Sequence, residues 1–416
     1  MFNNQRQQII DVYREYPRPF WTLVGVTFID HLGGALLFPF FALYITSKFG
    51  VGMTEVGVLF AVFSFSSFIG SMLGGALTDR MGRKKMLIFS LISTSVSAVA
   101  MGLVNSMEAF FVLALLVGIF TDTGGPARQA MVADLLSEQK RAQGYGIIRV
   151  AFNLSVTIGP AIGGLLAARS YLLLFIIDAI ISLISAALVY FYLPETKPEP
   201  RTGEQPESVG TTFAGYFQVL KDKVFMLFIG ANILLGLVYM NMNTTLGVYL
   251  RDVHGVPESG YGLILSLNAL LVVLLQFPIT RRIEGYPPML MMALGTFLYA
   301  IGFAMYGFVS AYVLFLVAIV IITIGEMLVA PVSQALTAQM SPEDMRGRYM
   351  AIFGFSWGIP FAIGPLLAGL ILDNAAEPQV LWYAAGIIGL LATTSFIYLN
   401  RLTQKRPAPA GVRASD

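Results

Sequence analysis

Ionisable side chains inside long apolar stretches are the residues of this sequence best placed to do chemistry. Asp30, Asp122 and Glu326 each lie well inside such a stretch, and Arg149 lies inside another. Asp30 follows about ten mostly apolar residues, which is roughly 15 Å of helix. Because a charge is costly in such surroundings, each of these residues needs a function or a partner. We predict that the three acids take up and release protons or bind a small molecule, with Arg149 as an ion-pair partner.

Two neighbouring ionisable residues receive a different interpretation. Asp178 lies closer to the outer end of its apolar stretch, among apolar neighbours, and is a weaker candidate. His31 follows Asp30 directly but points about 100° away around a helix, so we predict that it contacts a neighbouring helix. For each charged residue the alternative is a buried ion pair or hydrogen bond that only holds helices together.

Amide side chains are the second set of polar groups within apolar stretches. In the sequence Met240-Asn241-Met242-Asn243, amides alternate with flexible thioethers, which suits an adaptable pocket. The alternative for any one of them is a hydrogen bond between helices. The candidates for a cavity lining are Asn153, Asn241, Asn243 and Asn268, with Asn232 and Gln276 as further polar groups.

The composition identifies the kind of protein that must position these groups. Of the 416 residues, 56% are hydrophobic and only 12% are charged, about half the charged share of a soluble domain. We conclude that the chain is an integral membrane protein. It contains no cysteine and only two histidines, His31 and His254, so we expect no metal centre, and no cofactor-binding motif is present.

Apolar runs of the length needed to cross a bilayer, roughly 20 residues, occur twelve times. The first run is too long to be the core of a cleaved signal peptide and is predicted to be retained. The predicted fold is therefore an all-α membrane protein of twelve transmembrane helices. The predicted spans are residues 20–46, 54–78, 86–105, 109–130, 143–168, 171–193, 224–250, 258–279, 288–309, 311–334, 346–372 and 379–400.

The distribution of basic residues predicts the orientation. With both termini in the cytoplasm, all but three of the 26 lysine and arginine residues fall on the cytoplasmic side. The three exceptions are Lys48, Arg169 and Arg251. This asymmetry follows the positive-inside rule and would be lost with an odd number of spans.

The two halves of the sequence repeat each other at a constant offset of 205 residues. Matching pairs include Tyr44 and Tyr249, Gly50 and Gly255, Pro126 and Pro331, Arg141 and Arg346, and Gly159 and Gly364. We predict two six-helix bundles related by a pseudo-twofold axis. The bundles are residues 1–193 and 224–416, and residues 194–223 form a cytoplasmic linker whose Pro- and Glu-rich part, Pro194–Gly210, is predicted to be disordered.

Two short motifs carry conformational information. Between the second and third spans the sequence reads Gly75-Ala-Leu-Thr-Asp79-Arg80-Met-Gly82-Arg83-Lys84-Lys85, a dense charged turn whose copy near Glu284 has decayed. In the fifth span it reads Gly159-Pro160-Ala-Ile-Gly163-Gly164. Proline bends a helix and small residues permit close crossing, so this second motif either packs helices tightly or provides a bend that holds the two halves closed on one side.

These two motifs resemble signatures of the major facilitator superfamily. The charged turn matches the family's motif between helices 2 and 3 except for Thr78, where alanine is usual, and the fifth-span motif resembles that of the drug–proton antiporter branch. Asp30 and the segment Glu326–Pro331 are similar to those of bacterial multidrug transporters in that branch. With the twelve spans and the repeat, the resemblance covers essentially the whole chain.

The resemblance implies that the charged turn is a conformational switch. Asp79 would contact the N-terminus of helix 11, where an anion is favoured by the helix dipole, and Arg80, Arg83 and Asp134 would complete the charge network. One departure concerns coupling: the arginine that the branch carries four residues before its glycine in helix 4, here Gly118, is replaced by Ala114. Coupling then either uses other groups, with Arg149 as a substitute, or does not occur.

The function expected on these grounds is secondary active transport by alternating access, with proton-coupled efflux of hydrophobic or cationic compounds. The partners are then a small-molecule substrate, protons and the lipid bilayer, and we expect a monomer in the inner (plasma) membrane that binds no nucleic acid. Uptake of a metabolite by symport or facilitated diffusion uses the same scaffold. A membrane-embedded enzyme is less favoured, because no polar catalytic cluster or phosphate-binding loop is present, and so is a transport-inactive sensor.

Overall fold

A computed structural model describes residues 14–197, 217–342 and 345–404. These residues contain twelve helical segments long and apolar enough to cross a membrane, here called spans 1 to 12. In chain order the helices are Arg18–Leu37 and Phe41–Phe49 (span 1), Met53–Met81 (span 2), Arg83–Leu103 (span 3), Met107–Thr121 and Gly124–Leu135 (span 4), Glu138–Ala167 (span 5), Tyr171–Tyr192 (span 6), Lys223–Thr244 followed by Leu246–His254 (span 7), Glu258–Ile283 (span 8), Pro288–Phe308 (span 9), Tyr312–Met340 (span 10), Arg346–Asn374 (span 11) and Val380–Gln404 (span 12).

The structure confirms the all-helical fold with twelve spans. Large apolar side chains are widely exposed along the spans, among them Phe65, Val150 and Leu165. Such surfaces are stable only where hydrocarbon covers them. The exposed residues therefore agree with a lipid-facing exterior.

The 205-residue repeat reappears in the backbone. The helices that start at Arg18, Met53 and Arg83 have counterparts that start at Lys223, Glu258 and Pro288, each 205 positions later. Two glycines at this offset, Gly50 and Gly255, have left-handed φ angles of 64° and 66°. Such angles favour glycine because it lacks Cβ, so the repeat preserves backbone conformation as well as residue type.

A buried hydrogen bond is also repeated at this offset. The Tyr44 hydroxyl donates to the carbonyl of Met101 at 2.7 Å, and the Tyr249 hydroxyl donates to the carbonyl of Tyr306 at 2.9 Å. Both donors and both acceptors differ by 205 positions. Each bond joins the end of the first span of its half to the end of the third.

Span 4 departs from the predicted single helix. The structure ends one helix at Thr121 and begins the next at Gly124, with Asp122 in the intervening turn. Gly124 and Gly125 weaken the helix, and Pro126 has no N–H to donate. The equivalent span 10 is one helix from Tyr312 to Met340 with Pro331 inside it, so the break belongs to the first half alone.

The contacts group the chain into two compact units. Unit 1 is Met1–Glu204 with Leu250–Ala269, and unit 2 is Gln205–Tyr249 with Leu270–Asp416. In unit 1, span 1 packs on spans 5 and 6, and span 3 packs on span 6. In unit 2 the equivalent pairs recur, because span 7 packs on spans 11 and 12, and span 9 packs on span 12.

The segment Leu250–Ala269 was expected in the second half and is grouped with unit 1 by its contacts. The Arg251 guanidinium donates to the hydroxyls of Ser47 and Thr46 at 2.5 and 3.0 Å. The Tyr171 hydroxyl donates to Glu258 Oε1 at 2.6 Å. These side chains attach the segment to spans 1 and 6.

Candidate functional site

The structure places Asp30 in a largely buried ion pair with Arg128. The Arg128 Nη2 donates to Asp30 Oδ2 at 2.6 Å, and each side chain is only 15% exposed. Arg128 lies in the second helix of span 4, which begins directly after the break at Asp122. The pair therefore joins span 1 to the part of span 4 that the break sets apart.

Arg128 was not identified from the sequence, where Arg149 was the predicted partner. The distribution of basic residues places Arg128 on the cytoplasmic side with most of the others. The signal available was its position two residues after the helix-breaking Pro126. Arg149 lies on an exposed part of span 5, next to the exposed Asn153 one turn along.

His31 belongs to the same cluster and contacts two neighbouring helices, as expected, through Arg128 of span 4 and Phe152 of span 5. The Arg128 Nη1 lies 2.9 Å from His31 Nδ1, and the imidazole lies edge-on to the Phe152 ring with centroids 4.9 Å apart. The guanidinium thus bridges two consecutive residues of span 1. It bonds Asp30 through Nη2 and His31 through Nη1.

Asp122 lies in the turn that separates the two helices of span 4. Its carboxyl lies near the hydroxyl of Ser67 of span 2. Spans 2 and 4 approach closely beside it, because an added Cβ on Gly74 would lie 2.5 Å from the carbonyl oxygen of Thr123. Asp122 therefore marks a tight crossing of two helices.

In unit 2, Glu326 of span 10 lies among aromatic side chains. The Tyr239 hydroxyl of span 7 donates to Glu326 Oε1 at 3.0 Å. The Tyr239 ring packs on Tyr299 and Trp357, with centroids 5.7 Å apart in both pairs. A carboxylate beside aromatic faces is a suitable environment for an organic cation.

The amide candidates in unit 2 differ in whether their polar atoms have hydrogen-bond partners. Asn232 donates to the carbonyl of Phe228 within its own helix, and Gln276 donates to the carbonyl of Met327 at 3.1 Å. Asn241 donates to Leu237 in its own helix, whereas its buried Oδ1 has no hydrogen-bond partner among the described residues. Asn241 also lines an apolar cavity of about 50 Å³ between spans 7, 11 and 12.

The remaining amide candidates, Asn243 and Asn268, are half-buried. Asn243 lies in the last turn of the span 7 helix, and Asn268 lies in span 8. Asn268 has an interaction partner. Their role as cavity lining stays a prediction.

The charged turn between spans 2 and 3 is organised around Arg83. The Arg83 Nε donates to Asp134 Oδ2 at 3.1 Å, and Arg83 Nη1 donates to the carbonyl of Thr78. Gly82 has a φ of 101°, and any side chain there would collide with Glu195. Gly75 has open space beside it, so it is not required by packing.

The start of the predicted disordered linker is held against this turn. Glu195 Oε1 accepts from the backbone N–H of Arg83 at 2.8 Å. Thr196 donates to Asp134, and the Lys197 ammonium donates to the carbonyl of Arg80 at 2.9 Å. Residues 194–197 are therefore ordered, contrary to the prediction, because Glu195 brings a negative charge to the basic turn and Lys197 bonds to its backbone. Residues 198–210 lie outside the described part.

Lys84 and Asp79 also belong to this turn. The Lys84 ammonium lies 5.5 Å from the centre of the Tyr190 ring, a cation–π distance. Asp79 lies within the helix Met53–Met81, but its side chain lies outside the described part of the structure. The predicted contact of Asp79 with span 11 stays a prediction.

The fifth-span motif provides close helix contact. A Cβ on Gly159 would lie 2.5 Å from that of Ala35, and one on Gly163 would lie 2.8 Å from the Phe40 ring. A Cβ on Gly164 would lie 2.9 Å from the Cα of Gly262. Pro160 lies inside the same helix, and the motif thus allows span 5 to pack backbone to backbone.

Among the described residues, no group of three or more His, Cys, Asp or Glu side chains is arranged to hold a metal ion. The buried charges instead lie on apolar spans of two repeated six-helix sets, which is the organisation of a membrane carrier. The chain belongs to the Major Facilitator Superfamily, whose family model matches residues 23–260 and 229–415. It is a secondary transporter of that superfamily.

Two relatives indicate the range of activities in its neighbourhood. The sequence is 29% identical to a Na(+), Li(+), K(+)/H(+) antiporter of Planococcus maritimus, with 88% of this chain and 91% of the relative covered. It is 25% identical to the multidrug resistance protein MdtH of Shigella boydii, with coverages of 91% and 92%.

Solved structures with the same fold include a POT family transporter in complex with 5-aminolevulinic acid. Its TM-score is 0.78 at 14% identity, and the match covers 94% of this chain and 97% of that one. The nucleoside transporter NupG has a TM-score of 0.76, also at 14% identity, with coverages of 92% and 100%. At these identities the likeness concerns the fold alone.

Proposed function

We propose that this protein is a proton-coupled antiporter that exports lipophilic cations across the inner membrane, with both termini in the cytoplasm. The observation that carries the proposal is the setting of Glu326, whose carboxyl lies beside the Tyr239 hydroxyl within a set of aromatic rings. Such a carboxyl binds either a proton or an organic cation. Competition for one carboxylate couples the two flows in opposite directions.

Asp30 gives unit 1 a second coupling group. Its carboxylate is neutralised by Arg128 at 2.6 Å. Protonation of Asp30 removes that attraction and releases the second helix of span 4 from span 1. Proton binding would in this way change helix contacts as well as charge, which alternating access requires.

The test is transport by the purified protein in liposomes with an imposed pH gradient. The lumen is made acidic, the membrane potential is clamped with potassium and valinomycin, and accumulation of tetraphenylphosphonium is measured. We expect accumulation that disappears when the gradient is collapsed and that is lost in Glu326→Gln. The matched control is Glu108→Gln, an exposed acid in the first turn of span 4. Accumulation in the wild type that is indifferent to the gradient would exclude antiport.

The second candidate function is exchange of alkali cations for protons, which the similarity to the Planococcus maritimus antiporter favours. The same acid-loaded liposomes, with a pH-sensitive dye in the lumen, distinguish it. Addition of external LiCl, NaCl or KCl raises the luminal pH if alkali cations are exchanged for protons. A rise in luminal pH with tetraphenylphosphonium but not with the salts favours the first candidate. Movement of the substrate in the same direction as protons indicates the uptake alternative.

A further inference from the structure

Span 6 carries a polar stripe that neither coupling group uses. Asp178 is 5% exposed, and Ser182 and Ser185 are 0% exposed. The spacings of four and three residues place all three on one face of the helix Tyr171–Tyr192. This face lies in one of the most hydrophobic spans of the chain, with a mean hydropathy of 2.7.

The hydroxyls of this stripe lack hydrogen bonds. Neither Ser182 Oγ nor Ser185 Oγ has a partner within the described residues. Other buried hydroxyls bond to the carbonyl one turn back, as Thr27 does to Leu23 at 2.8 Å and Ser155 does to Ala151 at 3.0 Å. An unsatisfied buried polar group costs about 1–3 kcal/mol, so two on one face require an explanation.

The carboxyl of Asp178 also lacks a partner. The residues that the structure describes provide it with neither a hydrogen bond nor an ion pair. Its Oδ1 lies against Gly33 of span 1, where any side chain would collide with it. A buried carboxylate without a counter-charge is far more costly than a buried hydroxyl, so Asp178 needs a positive charge or a proton.

Among the described residues, the spans packed on span 6 offer Asp178 no ion pair. From span 1 the ionisable neighbours are Asp30, whose like charge repels that of Asp178, and His31. Between Met86 and Leu103, span 3 contains no ionisable residue. On span 5 the basic residue inside the bilayer is Arg149, whose side chain is exposed. On span 6 itself the nearest ionisable residue is Tyr171.

Arg128 of span 4, which contacts Asp30 and His31 of span 1, is already engaged by Asp30 at 2.6 Å. The one positive charge of that pair is balanced by the one negative charge of Asp30. The charge on Asp178 therefore requires a separate positive partner.

We propose that Asp178 and Ser182, one helical turn apart, form a binding site for one small monovalent cation, separate from the Asp30–Arg128 pair. Ser185 continues the stripe roughly 10 Å along the helix from Asp178, which is too far to share the ion. The two side chains of the site present only oxygen atoms, the ligands that hard cations prefer. One carboxylate is neutralised by one positive charge, which selects a monovalent ion. A proton and a Li⁺ or Na⁺ ion share this chemistry, and the experiment separates them. The use of this site in transport rests on the proposed function, whereas its occupancy does not.

The experiment measures binding to the purified full-length protein without transport. Thermal unfolding is followed at constant pH and ionic strength in LiCl, NaCl and N-methylglucamine chloride. In parallel, infrared difference spectra between acidic and alkaline buffer detect a protonated carboxyl. The variants are Asp178→Asn and Ser182→Ala, with Glu108→Gln as the control acid.

Occupancy by an alkali ion predicts that Li⁺ or Na⁺ raises the unfolding midpoint of the wild type and of the control but not of Asp178→Asn. Ser182→Ala then weakens ion binding by about tenfold, or roughly 1.4 kcal/mol. Occupancy by a proton predicts no alkali effect and a carboxyl band that Asp178→Asn removes and Ser182→Ala shifts.

The proposal is overturned if neither an alkali-dependent midpoint nor a carboxyl band depends on Asp178. If Asp178→Asn does not fold, Ser182→Ala decides alone, because it removes only a hydroxyl. An unchanged alkali affinity and an unshifted band in that variant would then refute the site. Transport failure with intact binding would instead contradict only the proposed function.

Discussion

Breaking the Asp30–Arg128 pair from one side is predicted to cost more than removing both charges together. The two side chains are joined at 2.6 Å and each is 15% exposed, so solvent screens them weakly. Removing one partner of a buried pair leaves an uncompensated charge and costs about 3–5 kcal/mol, whereas replacing the whole pair can be nearly neutral. We expect Arg128→Gln to destabilise the protein by about that amount.

The assay is a double-mutant cycle on Asp30→Asn, Arg128→Gln and the double variant, with unfolding followed in detergent. The double variant should recover most of the stability lost in Arg128→Gln, because no unpaired charge remains. Arg18→Gln is the matched control, since Arg18 is exposed at the start of span 1, and should change stability by at most about 0.5 kcal/mol. Losses in the double variant equal to the sum of the single losses would refute the direct pairing on which the coupling argument depends.

Three other perturbations follow from measured contacts. Tyr239→Phe removes the hydroxyl that donates to Glu326 at 3.0 Å but keeps the ring. It should shift the pH dependence of transport, while the affinity for the cation changes less than in Tyr239→Ala. Equal effects of the two variants on pH dependence and on affinity would contradict the assigned roles of hydroxyl and ring. Arg83→Gln removes the donor to Asp134 at 3.1 Å and should increase amide hydrogen exchange of the turn after span 2. Arg83→Lys, which cannot reproduce the fork geometry, should protect these amides only in part. Full protection in both variants would show that this bond does not stabilise the turn. Gly164→Leu places a side chain where even a Cβ would lie 2.9 Å from the Cα of Gly262, so it should lower the yield of folded protein and transport together. Gly75→Ala, with open space around it, is the control and should leave the yield unchanged. A well-folded Gly164→Leu would show that the helices can separate there at little cost.

The sequence predicts span 4 as one continuous helix, and this prediction is wrong. Gly124, Gly125 and Pro126 lie inside the predicted span, through which the apolar periodicity continues. In the second half, Pro331 stands in an unbroken helix. One proline therefore does not settle whether a helix ends, and here two preceding glycines decided the outcome.

The linker shows the opposite error. Its proline and acidic residues are typical of disorder, and the prediction extended that property to its first residue. Glu195 and Lys197 instead contact the charged turn because unlike charges and unsatisfied backbone groups lie within reach. A composition argument does not include such a neighbour, since the two segments are more than a hundred residues apart.

The sequence by itself determined the membrane-spanning character, the twelve spans and the duplication, because hydropathy, length and a constant offset are properties of one chain read locally. It also placed Asp30, Asp122 and Glu326 inside spans. Only the tertiary structure decided which residue each acid meets. Arg128 bonds Asp30, Tyr239 bonds Glu326, and Asp178 lies against Gly33 with two unpartnered hydroxyls on its own face. Those partners depend on which spans are neighbours and on how each is rotated, and both follow from packing of many small contacts rather than from any single motif.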